Sequence, residues 1–496
     1  MKIKDVLFKN LDLTDRVAIW LCLLAFSFWV YLLNYKFFHF GYYDWDLAFF
    51  AQGMWNLSHG SGYVSLFDVQ LLANHANLIA FFVIPLYKIF PHPLTLVFLK
   101  VASYVTAAFV LYLLTKEKLG GTIAVLFLLF YLFYAPNIIG MLYEFDFESL
   151  APAFLMLIFY FYVKDRWLGF MICAGILFLI KENLPLIVLA FSIHGLFTKK
   201  DKIRFGVIPG ILSLASFFLL VFVFIPRMSG GAIGDGHSYY IGHNYQGLGG
   251  SVGGVLSSII FHPIKIWQYI LTSQNINFLV AIFAPFLTLP LFTPGILFLI
   301  SPILLQHLLS SGVQEHSIRF AYVLTIAPFL FLATIGTLKV FYEKSRKVYN
   351  SILILLVFFN IVYFFLNVSE MKQRFMLIQD RDQTQEMVFD RWELVQMVPP
   401  DASVVASFSF LAPLSQRKNL YAFHKIYDPS YQNDQYSYVL PSKVQYALID
   451  FNDPWLLYDL KVYPVFTKNR LSNFFIQNKW IVKRRYGKII LFERGK

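Results

Sequence analysis

Long apolar runs recur along most of the chain, and they set the strongest limit on its fold. A helix that spans a bilayer needs roughly 17–25 mostly apolar residues, and eleven runs reach or approach that length. They lie at 17–35, 94–114, 122–140, 148–163, 167–181, 184–198, 204–225, 276–292, 294–309, 320–341 and 350–367. Only 14% of the 496 residues are charged, against about a quarter in soluble proteins. The sequence therefore predicts a polytopic α-helical membrane protein with about eleven transmembrane helices.

Lys and Arg collect between the apolar runs in a pattern that predicts orientation, because cytoplasmic loops are enriched in them. They concentrate at the N-terminus and at 116–118, 164–166, 199–204 and 339–347. With eleven spans, all of these segments fall on one side. The N-terminus is therefore predicted on the cytoplasmic side of the cytoplasmic membrane, and the C-terminus outside. The net charge of +12 follows from this pattern and does not indicate nucleic-acid binding.

One further apolar stretch, Ala76–Phe90, is predicted to lie along the membrane surface. It has 15 residues, including Pro85 and Lys88. Counting it as a span would place Lys116 and Lys118 outside, against the charge pattern. A short, interrupted apolar helix suits the membrane interface. The first external loop, 36–93, is therefore expected to contain a juxtamembrane helix.

The last quarter of the chain differs in character from the rest. From Glu370 the sequence is polar, and turn residues separate strand-like segments at 403–406, 446–449, 480–485 and 488–493. This pattern predicts a membrane domain at 1–369 and a small soluble α/β domain at 370–496, held outside the membrane. The glycine-rich stretch 229–254 lacks the Lys-Ser/Thr ending of a phosphate-binding loop, so it is expected to be an external loop.

Acidic residues gather at the external ends of the predicted spans, and ionisable residues near a membrane often mark function. Asp44 and Asp46 follow the first span, and Glu144, Asp146 and Glu148 fill the short loop between the third and fourth. Carboxylates two residues apart can share a divalent cation, or one can act as a base while the other tunes its pKa. The plainer interpretation of Asp44 and Asp46 is that they are solvated acids in an aromatic belt at the membrane interface. For Glu144, Asp146 and Glu148 it is a solvated loop tip.

The triplet Lys181-Glu182-Asn183 lies where two short predicted helices meet on the outside. Lys181 is a compact cation suited to a lipid phosphate, although the cap of a helical hairpin explains the triplet equally well. His75 and Arg319 fall on the same predicted face. No pair of histidines has the H-E-x-x-H spacing of a zinc site, and no G-x-S-x-G nucleophile motif occurs.

Several segments together resemble the predicted membrane proteins grouped as domain of unknown function 2079. They are YDWDLAFFAQGMWNLSHG at 43–60, NHA at 74–76, PLY at 85–87, KEN at 181–183 and VPPDASV at 398–404. That family in turn looks like a branch of the GT-C glycosyltransferases, which take a sugar from a polyprenyl-phosphate donor on the outer membrane face. The chain departs from the family at 145–148, where FDFE stands in place of a His-Pro-Glu-like element.

The resemblance implies a GT-C-like fold and an enzyme of the cell envelope that moves a hexose or pentose to an acceptor hydroxyl, with inversion at the sugar carbon. It makes Asp44 the expected general base, with Asp46 beside it. Glu144, Asp146 and Glu148 are then expected to orient the acceptor. A Mg²⁺ or Mn²⁺ ion is expected to be held by Asp46, Glu144 and Asp146.

The resemblance also implies how the donor is bound. The side chains expected at its phosphate are Lys181, His75, Arg319 and Glu182. Those expected to stack on sugar rings are Trp45, Trp55 and Tyr63. The expected partners are thus a polyprenyl-phosphate-linked sugar and membrane lipid, with no nucleic acid, and the external domain becomes a lid on the acceptor side.

Two other classes of protein fit the same sequence. One is a transporter or flippase for lipid-linked or small polar cargo, which would need broken helices at corresponding positions of two repeated halves. The other is a non-enzymatic membrane scaffold that displays the external domain. The oligomeric state, the sugar and the acceptor are not indicated by the sequence.

Overall fold

The protein is described from a computed structural model that covers residues 11–229, 244–376, 384–433 and 436–495. Its chain divides into two compact units. The first unit comprises Met1–Tyr31, Leu72–Ile79 and Phe98–Met371. The second unit comprises Leu32–Leu71, Ala80–Val97 and Lys372–Lys496. Most of the predicted glycine-rich loop, at 230–243, lies outside the described residues.

Helices occupy the apolar part of the chain, because a backbone in lipid must satisfy its hydrogen bonds within its own segment. Up to residue 228 they are Leu13–Phe38, Asp46–Ser58, Leu71–Asn74, Ala80–Ile89, Pro93–Leu119, Gly121–Phe133, Ala135–Leu142, Ala151–Val163, Trp167–Ile180, Pro185–Thr198 and Ile203–Met228. From residue 252 they are Val252–Phe261, Pro263–Ile270, Ser273–Phe283, Pro294–Leu309, Val323–Lys344, Arg346–Leu366 and Val368–Met376.

A helix or a bent pair of helices lies at each of the eleven predicted spans. Five helices are long and apolar enough to cross a membrane on their own, and up to seven crossings result if each bent pair counts as one. The others have 13 to 16 residues, which at 1.5 Å per residue fall short of a bilayer core of about 30 Å. The chain is thus a helical membrane protein, and the number of eleven crossings stays a prediction.

Two of the apolar helices are broken by bends. Gly121–Phe133 and Ala135–Leu142 meet at 45°, and Pro263–Ile270 and Ser273–Phe286 meet at 61°. Tyr134, at the first break, has extended backbone angles, with Pro136 in the first turn of the helix that follows. Pro136 has no N–H to donate to the carbonyl of Leu132 one turn earlier, so the hydrogen-bond ladder of the first helix cannot continue through it and the break falls just before it.

The helix Val323–Lys344 forms the centre of the first unit. In its most apolar window 83% of residues are buried, against 17% for the next helix, Arg346–Leu366. The ring of Phe331 lies 4.8 Å from Phe286 and 5.6 Å from Tyr134, both edge-on. Arg346–Leu366 instead keeps most of its apolar surface open, as expected of a helix that faces lipid.

The second unit contains a five-stranded mixed sheet. In spatial order its strands are Leu420–Ala422, Val404–Ala406, Tyr446–Asp450, Ile489–Arg494 and Trp480–Tyr486. The first three are parallel, and the last two are antiparallel to their neighbours. Four of these strands are the predicted ones, and Leu420–Ala422 was not predicted. Two short hairpins pair Tyr63–Val64 with Val69–Gln70 and Gln432–Asn433 with Tyr436–Ser437.

Helices cover this sheet and complete its core. In the C-terminal part of the chain they are Gln385–Gln396, Phe408–Leu411, His424–Tyr427, Pro454–Val462 and Pro464–Asn478. Phe423, Tyr427, Phe474 and Phe492 pack with Val405 in one buried cluster. Burying four aromatic side chains removes a large apolar area from water, which is what gives this unit a core of its own.

The second unit also includes the first loop, through hydrogen bonds within that unit. The Gln52 amide donates to Ser65 Oγ at 2.8 Å, and the Ser65 hydroxyl donates to the carbonyl of Leu420 at 2.9 Å. Lys425 Nζ donates to the carbonyl of Leu66 at 2.7 Å. Residues of the first loop therefore pack with residues that follow the predicted boundary at Glu370. The solubility of 370–496 as a domain stays a prediction.

Candidate functional site

The acidic loop of the first unit is held in place by a buried lysine. Lys100 is 1% exposed, and its ammonium donates to the carbonyls of Gly140 at 2.8 Å, Tyr143 at 3.0 Å and Glu144 at 3.0 Å. The last carbonyls of a helix have no intrahelical partners, so a cation there caps Ala135–Leu142 and fixes the loop. Sequence reasoning did not single out Lys100, although one lysine within an apolar run is a recognisable signal.

A second buried lysine lies between two of the predicted acidic residues. Lys181 Nζ is 2.5 Å from Glu148 Oε2 and 3.9 Å from Asp146 Oδ2. Asp146 Oδ1 also accepts from the backbone N–H of Glu148 at 2.9 Å, which begins the turn Phe147–Leu150. Lys181 and Glu148 are each 6% exposed. Each of these buried charges therefore depends on the other for its neutralisation.

His75 and Glu182 form a second pair in the same unit. His75 Nδ1 is 2.8 Å from Glu182 Oε1, and the backbone N–H of Ala76 donates to Glu182 Oε2 at 3.1 Å. The Asn77 amide donates to the carbonyl of Ile180 at 2.7 Å, at the end of the helix Trp167–Ile180. These bonds fix Leu72–Ile79 against the Lys181-Glu182-Asn183 triplet, two segments that the sequence had placed on one face.

A cavity of about 270 Å³ opens beside these pairs. Its polar lining is formed by His75, Lys181, Glu182, Asn183, Tyr245 and Gln306. Its larger apolar lining is formed by Leu186, Phe217, Val221, Val252, Val255, Leu256, Ile259, Pro302, Leu305 and Leu309. Binding pockets commonly combine a mostly apolar wall with a few polar groups that fix the orientation of the ligand. This cavity therefore suits an amphipathic molecule with one charged end.

Next to Gln306, a buried histidine and glutamate make a pair that sequence reasoning missed. His307 Nδ1 is 3.0 Å from Glu315 Oε2, and each residue is 2% exposed. Ser310 Oγ donates to Glu315 Oε1 at 3.1 Å. The eight-residue separation corresponds to no common motif, so only the fold brings the two side chains together.

Asp44 and Asp46 belong to the second unit. Asp44 is half-buried and accepts from the backbone N–H of Trp45 at 2.9 Å. Asp46 is the first residue of the helix Asp46–Ser58, where a carboxylate meets the positive end of the helix dipole. The sequence did not predict this helix. Their proposed roles in acceptor activation stay predictions.

The ring of Trp45 packs within the second unit. It stacks on His424 at 5.1 Å and lies 5.7 Å from Phe408 and 5.4 Å from Phe67. Burial lowers the pKa of His424 well below its ordinary value, and the charge of Lys425 lowers it further. Trp45 therefore stacks on a neutral imidazole. Its predicted stacking on a sugar stays a prediction.

The remaining predicted residues have local partners. Trp55 stacks on His59 at 4.1 Å, and the Tyr63 hydroxyl donates to Asp68. Arg319 Nε lies 3.2 Å from Glu370 Oε2, and the side chains are 60% and 16% exposed, respectively. Arg319 is not among the described residues that line the cavity. Their roles in donor and sugar binding stay predictions.

The structure shows no group of three His, Cys, Asp or Glu side chains arranged to hold a metal ion within the described ranges. Between Asp146 and Glu148, the ammonium of Lys181 already takes the position that a cation would need. These two carboxylates therefore do not fit a divalent ion as they stand. The expectation of Mg²⁺ or Mn²⁺ at Asp46, Glu144 and Asp146 stays a prediction.

The apolar helices and the amphipathic cavity define a helical membrane protein. The chain belongs to the family described as predicted membrane protein (DUF2079), whose model matches residues 36–455. Among solved structures, it is similar to ArnT from Cupriavidus metallidurans bound to undecaprenyl phosphate, with a TM-score of 0.50 and 10% identity. That match covers 96% of this chain and 97% of ArnT. No curated protein matches the sequence.

At 10% identity the likeness to ArnT shows a shared fold. It extends over nearly the whole of both chains and supports the GT-C-like resemblance recognised from the sequence motifs.

Proposed function

We propose that this protein moves a sugar from a polyprenyl-phosphate donor to an acceptor hydroxyl at the outer face of the cytoplasmic membrane. The observation that carries the proposal is the cavity of the first unit, which has a long apolar wall and Lys181 at its polar end. A polyprenyl phosphate has the same division between an apolar chain and a charged head. The ArnT structure with the same fold contains undecaprenyl phosphate, which adds support.

In this proposal the first isoprene units lie against the apolar wall, and the phosphate meets Lys181 and His75. A charge-assisted hydrogen bond from either side chain would offset the phosphate charge as the leaving group departs. Glu182 Oε1 lies 2.8 Å from His75 Nδ1 and so holds the imidazole ring in position. Glu182 therefore acts on the phosphate only through His75. Glu148 and Asp146 hold the Lys181 ammonium in position.

The proposed chemistry is a direct displacement. The acceptor oxygen attacks C1 of the sugar as the bond from C1 to the phosphate oxygen breaks, so the polyprenyl phosphate leaves with the bonding electrons. Asp44 takes the proton of the acceptor hydroxyl as general base. One displacement inverts the configuration at C1.

The proposed function requires one orientation of the protein in the membrane. The N-terminus lies in the cytoplasm, and Asp44, Glu144 and Lys181 face the outside, as the distribution of Lys and Arg predicts. The donor would then be a lipid of the outer leaflet, and the acceptor a molecule of the cell envelope.

Sugar transfer by the protein in lipid nanodiscs tests this function. A panel of radiolabelled polyprenyl-phosphate hexoses and pentoses would be supplied with membrane extract as the source of acceptor. We expect Asp44→Asn to reduce transfer about 100-fold or more, the usual contribution of a general base, and to leave donor binding unchanged. Lys181→Met is expected to weaken donor binding instead.

Asp401→Asn is the matched control, because Asp401 is an exposed carboxylate of the second unit. It should transfer like the wild type. The proposal is wrong if the wild type consumes none of the donors, or if Asp44→Asn transfers normally. Movement of an intact donor across the bilayer without bond cleavage would instead identify a flippase.

A further inference from the structure

Two neutral amides line the cavity of the first unit, and the proposed function gives them no role. They are Asn183, the last residue of the triplet that begins with Lys181, and Gln306, on the helix Pro294–Leu309. Asn183 Nδ2 donates to Gln306 Oε1 at 3.0 Å. The Tyr245 hydroxyl donates to the carbonyl of Gln306 at 2.9 Å, so the side chain and the backbone of Gln306 are both anchored at the cavity. We call Asn183 and Gln306 the amide pair.

The contact within the amide pair leaves one acceptor and one donor unused. Asn183 is 8% exposed, and its Oδ1 atom has no hydrogen-bond partner among the described residues. The Nε2 group of Gln306 likewise bonds to none of the residues that the structure describes. An amide oxygen that is buried without a hydrogen bond is costly, so a ligand group that donates to Asn183 Oδ1 gains binding energy.

One acceptor beside one donor is complementary to a hydroxyl, because a hydroxyl oxygen can accept one hydrogen bond while its O–H group donates another. An ionised phosphate only accepts, and an isoprene chain does neither. In a polyprenyl-phosphate sugar, the groups with both properties on one atom are the sugar hydroxyls. Asn183 lies two positions after Lys181, the residue proposed at the phosphate. The sugar hydroxyl nearest to that phosphate along the bonds is the 2-hydroxyl, so the position of the amide pair favours it.

We propose that the amide pair binds the 2-hydroxyl of the donor sugar and selects donors that carry it. Asn183 Oδ1 accepts from this hydroxyl and Gln306 Nε2 donates to its oxygen, while Lys181 binds the adjacent phosphate. The inference rests on the proposed function and deepens it, because it names the substrate class as 2-hydroxy sugars. Asn183 and Gln306 are then specificity-determining residues that take no part in the displacement. A site built to bond a hydroxyl rejects the analogue without it, because its polar groups are left unpaired.

Equilibrium binding to the full chain in lipid nanodiscs tests this inference without any transfer. The ligands are polyprenyl-phosphate glucose and polyprenyl-phosphate ribose, each beside its 2-deoxy analogue, with sugar-free polyprenyl phosphate as the reference. We expect the wild type to bind at least one of the two donors about tenfold or more tightly than its 2-deoxy analogue. Asn183→Leu and Gln306→Met keep the side-chain volume and remove the amide. Each should lower this ratio about threefold or more, by weakening the donor that carries the hydroxyl.

Asn350→Leu is the matched control, because Asn350 is an exposed asparagine of the helix Arg346–Leu366 that is not among the described residues lining the cavity. It should keep the wild-type ratio. The inference is overturned if the wild type discriminates less than tenfold for both sugars, a comparison that needs no variant. It is also overturned if either Asn183→Leu or Gln306→Met lowers the ratio by less than threefold.

The sugar-free lipid separates this inference from the proposed function. A wild type that binds polyprenyl phosphate but ignores the 2-hydroxyl overturns the inference alone. A wild type that binds neither polyprenyl phosphate nor its sugar-bearing forms overturns both.

Discussion

Each of the two units buries an ion pair that lines a cavity, Lys181 with Glu148 in the first and Arg391 with Asp450 in the second, and these two pairs differ in geometry. In the first unit Lys181 and Glu148 are in contact at 2.5 Å, beside a cavity with mostly apolar walls. In the second unit Arg391 and Asp450 are 3.5 Å apart and line a larger cavity of about 770 Å³. A short contact in an apolar site neutralises both charges directly, whereas two charges 3.5 Å apart attract each other less strongly.

This difference shows what a buried charge does in each unit. Removing charges from water is costly, and a buried pair often adds little net stability compared with apolar residues of the same volume. The pair of the first unit depends on close contact between its members, whereas the members of the second pair are 3.5 Å apart. Substitutions that remove one member should therefore have unequal effects.

The largest effect is expected from breaking the first pair. Glu148→Gln leaves the Lys181 ammonium buried without its closest anion, and removal of one partner of a buried pair destabilises a protein by about 3–5 kcal/mol. The midpoint of thermal unfolding in detergent, followed by tryptophan fluorescence, measures the loss. The double variant Glu148→Gln with Lys181→Met should recover much of it, and equal losses in the single and double variants would contradict the dependence of one charge on the other.

The second prediction concerns a carboxylate next to the second pair. Burial raises the pKa of Asp453 from its ordinary 3.8 to about 6, and the charge of Asp450 adds to the effect, although the backbone N–H groups of Leu456 and Trp455 oppose it. The folded state thus favours the protonated acid. The contribution of Asp453 to the stability of the fold is fully present below pH 4, where the side chain is protonated, and is lost as the pH rises through 6.

Asp453→Asn should remove this pH dependence, because asparagine keeps the helix cap without the titrating charge. The wild type should lose on the order of 2–3 kcal/mol relative to the variant between pH 4 and pH 7. Unfolding midpoints measured across that range test the expectation, with the exposed Asp401→Asn as the control. Parallel pH profiles for wild type and Asp453→Asn would show that Asp453 does not carry the dependence.

A smaller effect is expected from breaking the second pair. Asp450→Asn removes the negative charge that lies 3.5 Å from Arg391 Nη2. Because this contact is longer than that of the first pair, we expect a loss of about 2 kcal/mol, typical of one hydrogen bond to a charged group. Thermal unfolding under the conditions used for Glu148→Gln allows a direct comparison. If Asp450→Asn destabilises the protein as much as Glu148→Gln, the two pairs do not differ in the way their geometry indicates.

The smallest effect is expected from a pair with one exposed member, Arg319 with Glu370. The Arg319 side chain is 60% exposed in its contact with Glu370, and surface ion pairs contribute about 0–1 kcal/mol. Arg319→Ala should therefore unfold within about 1 kcal/mol of the wild type and should bind the polyprenyl-phosphate donor normally. A loss of donor binding without a loss of stability would instead support the phosphate contact that the sequence resemblance implies for Arg319.

The helices at the eleven apolar runs were predictable because apolar runs of sufficient length have few alternatives in a membrane. The strands Tyr446–Asp450 and Ile489–Arg494 were predictable from their apolar residues and the turns beside them. The strand Leu420–Ala422 has three residues, too few to show any period. The helix Asp46–Ser58 was missed because its aromatic residues were interpreted as an interfacial belt.

The candidate sites were only partly predictable. The predicted topology placed Glu148 and Lys181 on the same face of the membrane. It did not predict their contact, because no local pattern relates residues 33 positions apart. The pairing of His75 with Glu182 spans 107 positions. Such contacts follow from the packing of whole helices, which no local sequence pattern shows.

The hydrogen bonds between Ser65 and Leu420 have a consequence for biosynthesis. The two residues are 355 positions apart, and a ribosome adds about 5–20 residues per second, so the first leaves the ribosome roughly 20–70 s before the second. The apolar helices between them are made during that interval. We therefore expect a chain that is truncated before residue 420 to insert its membrane helices and leave Gln52 and Ser65 without the strand that completes their unit.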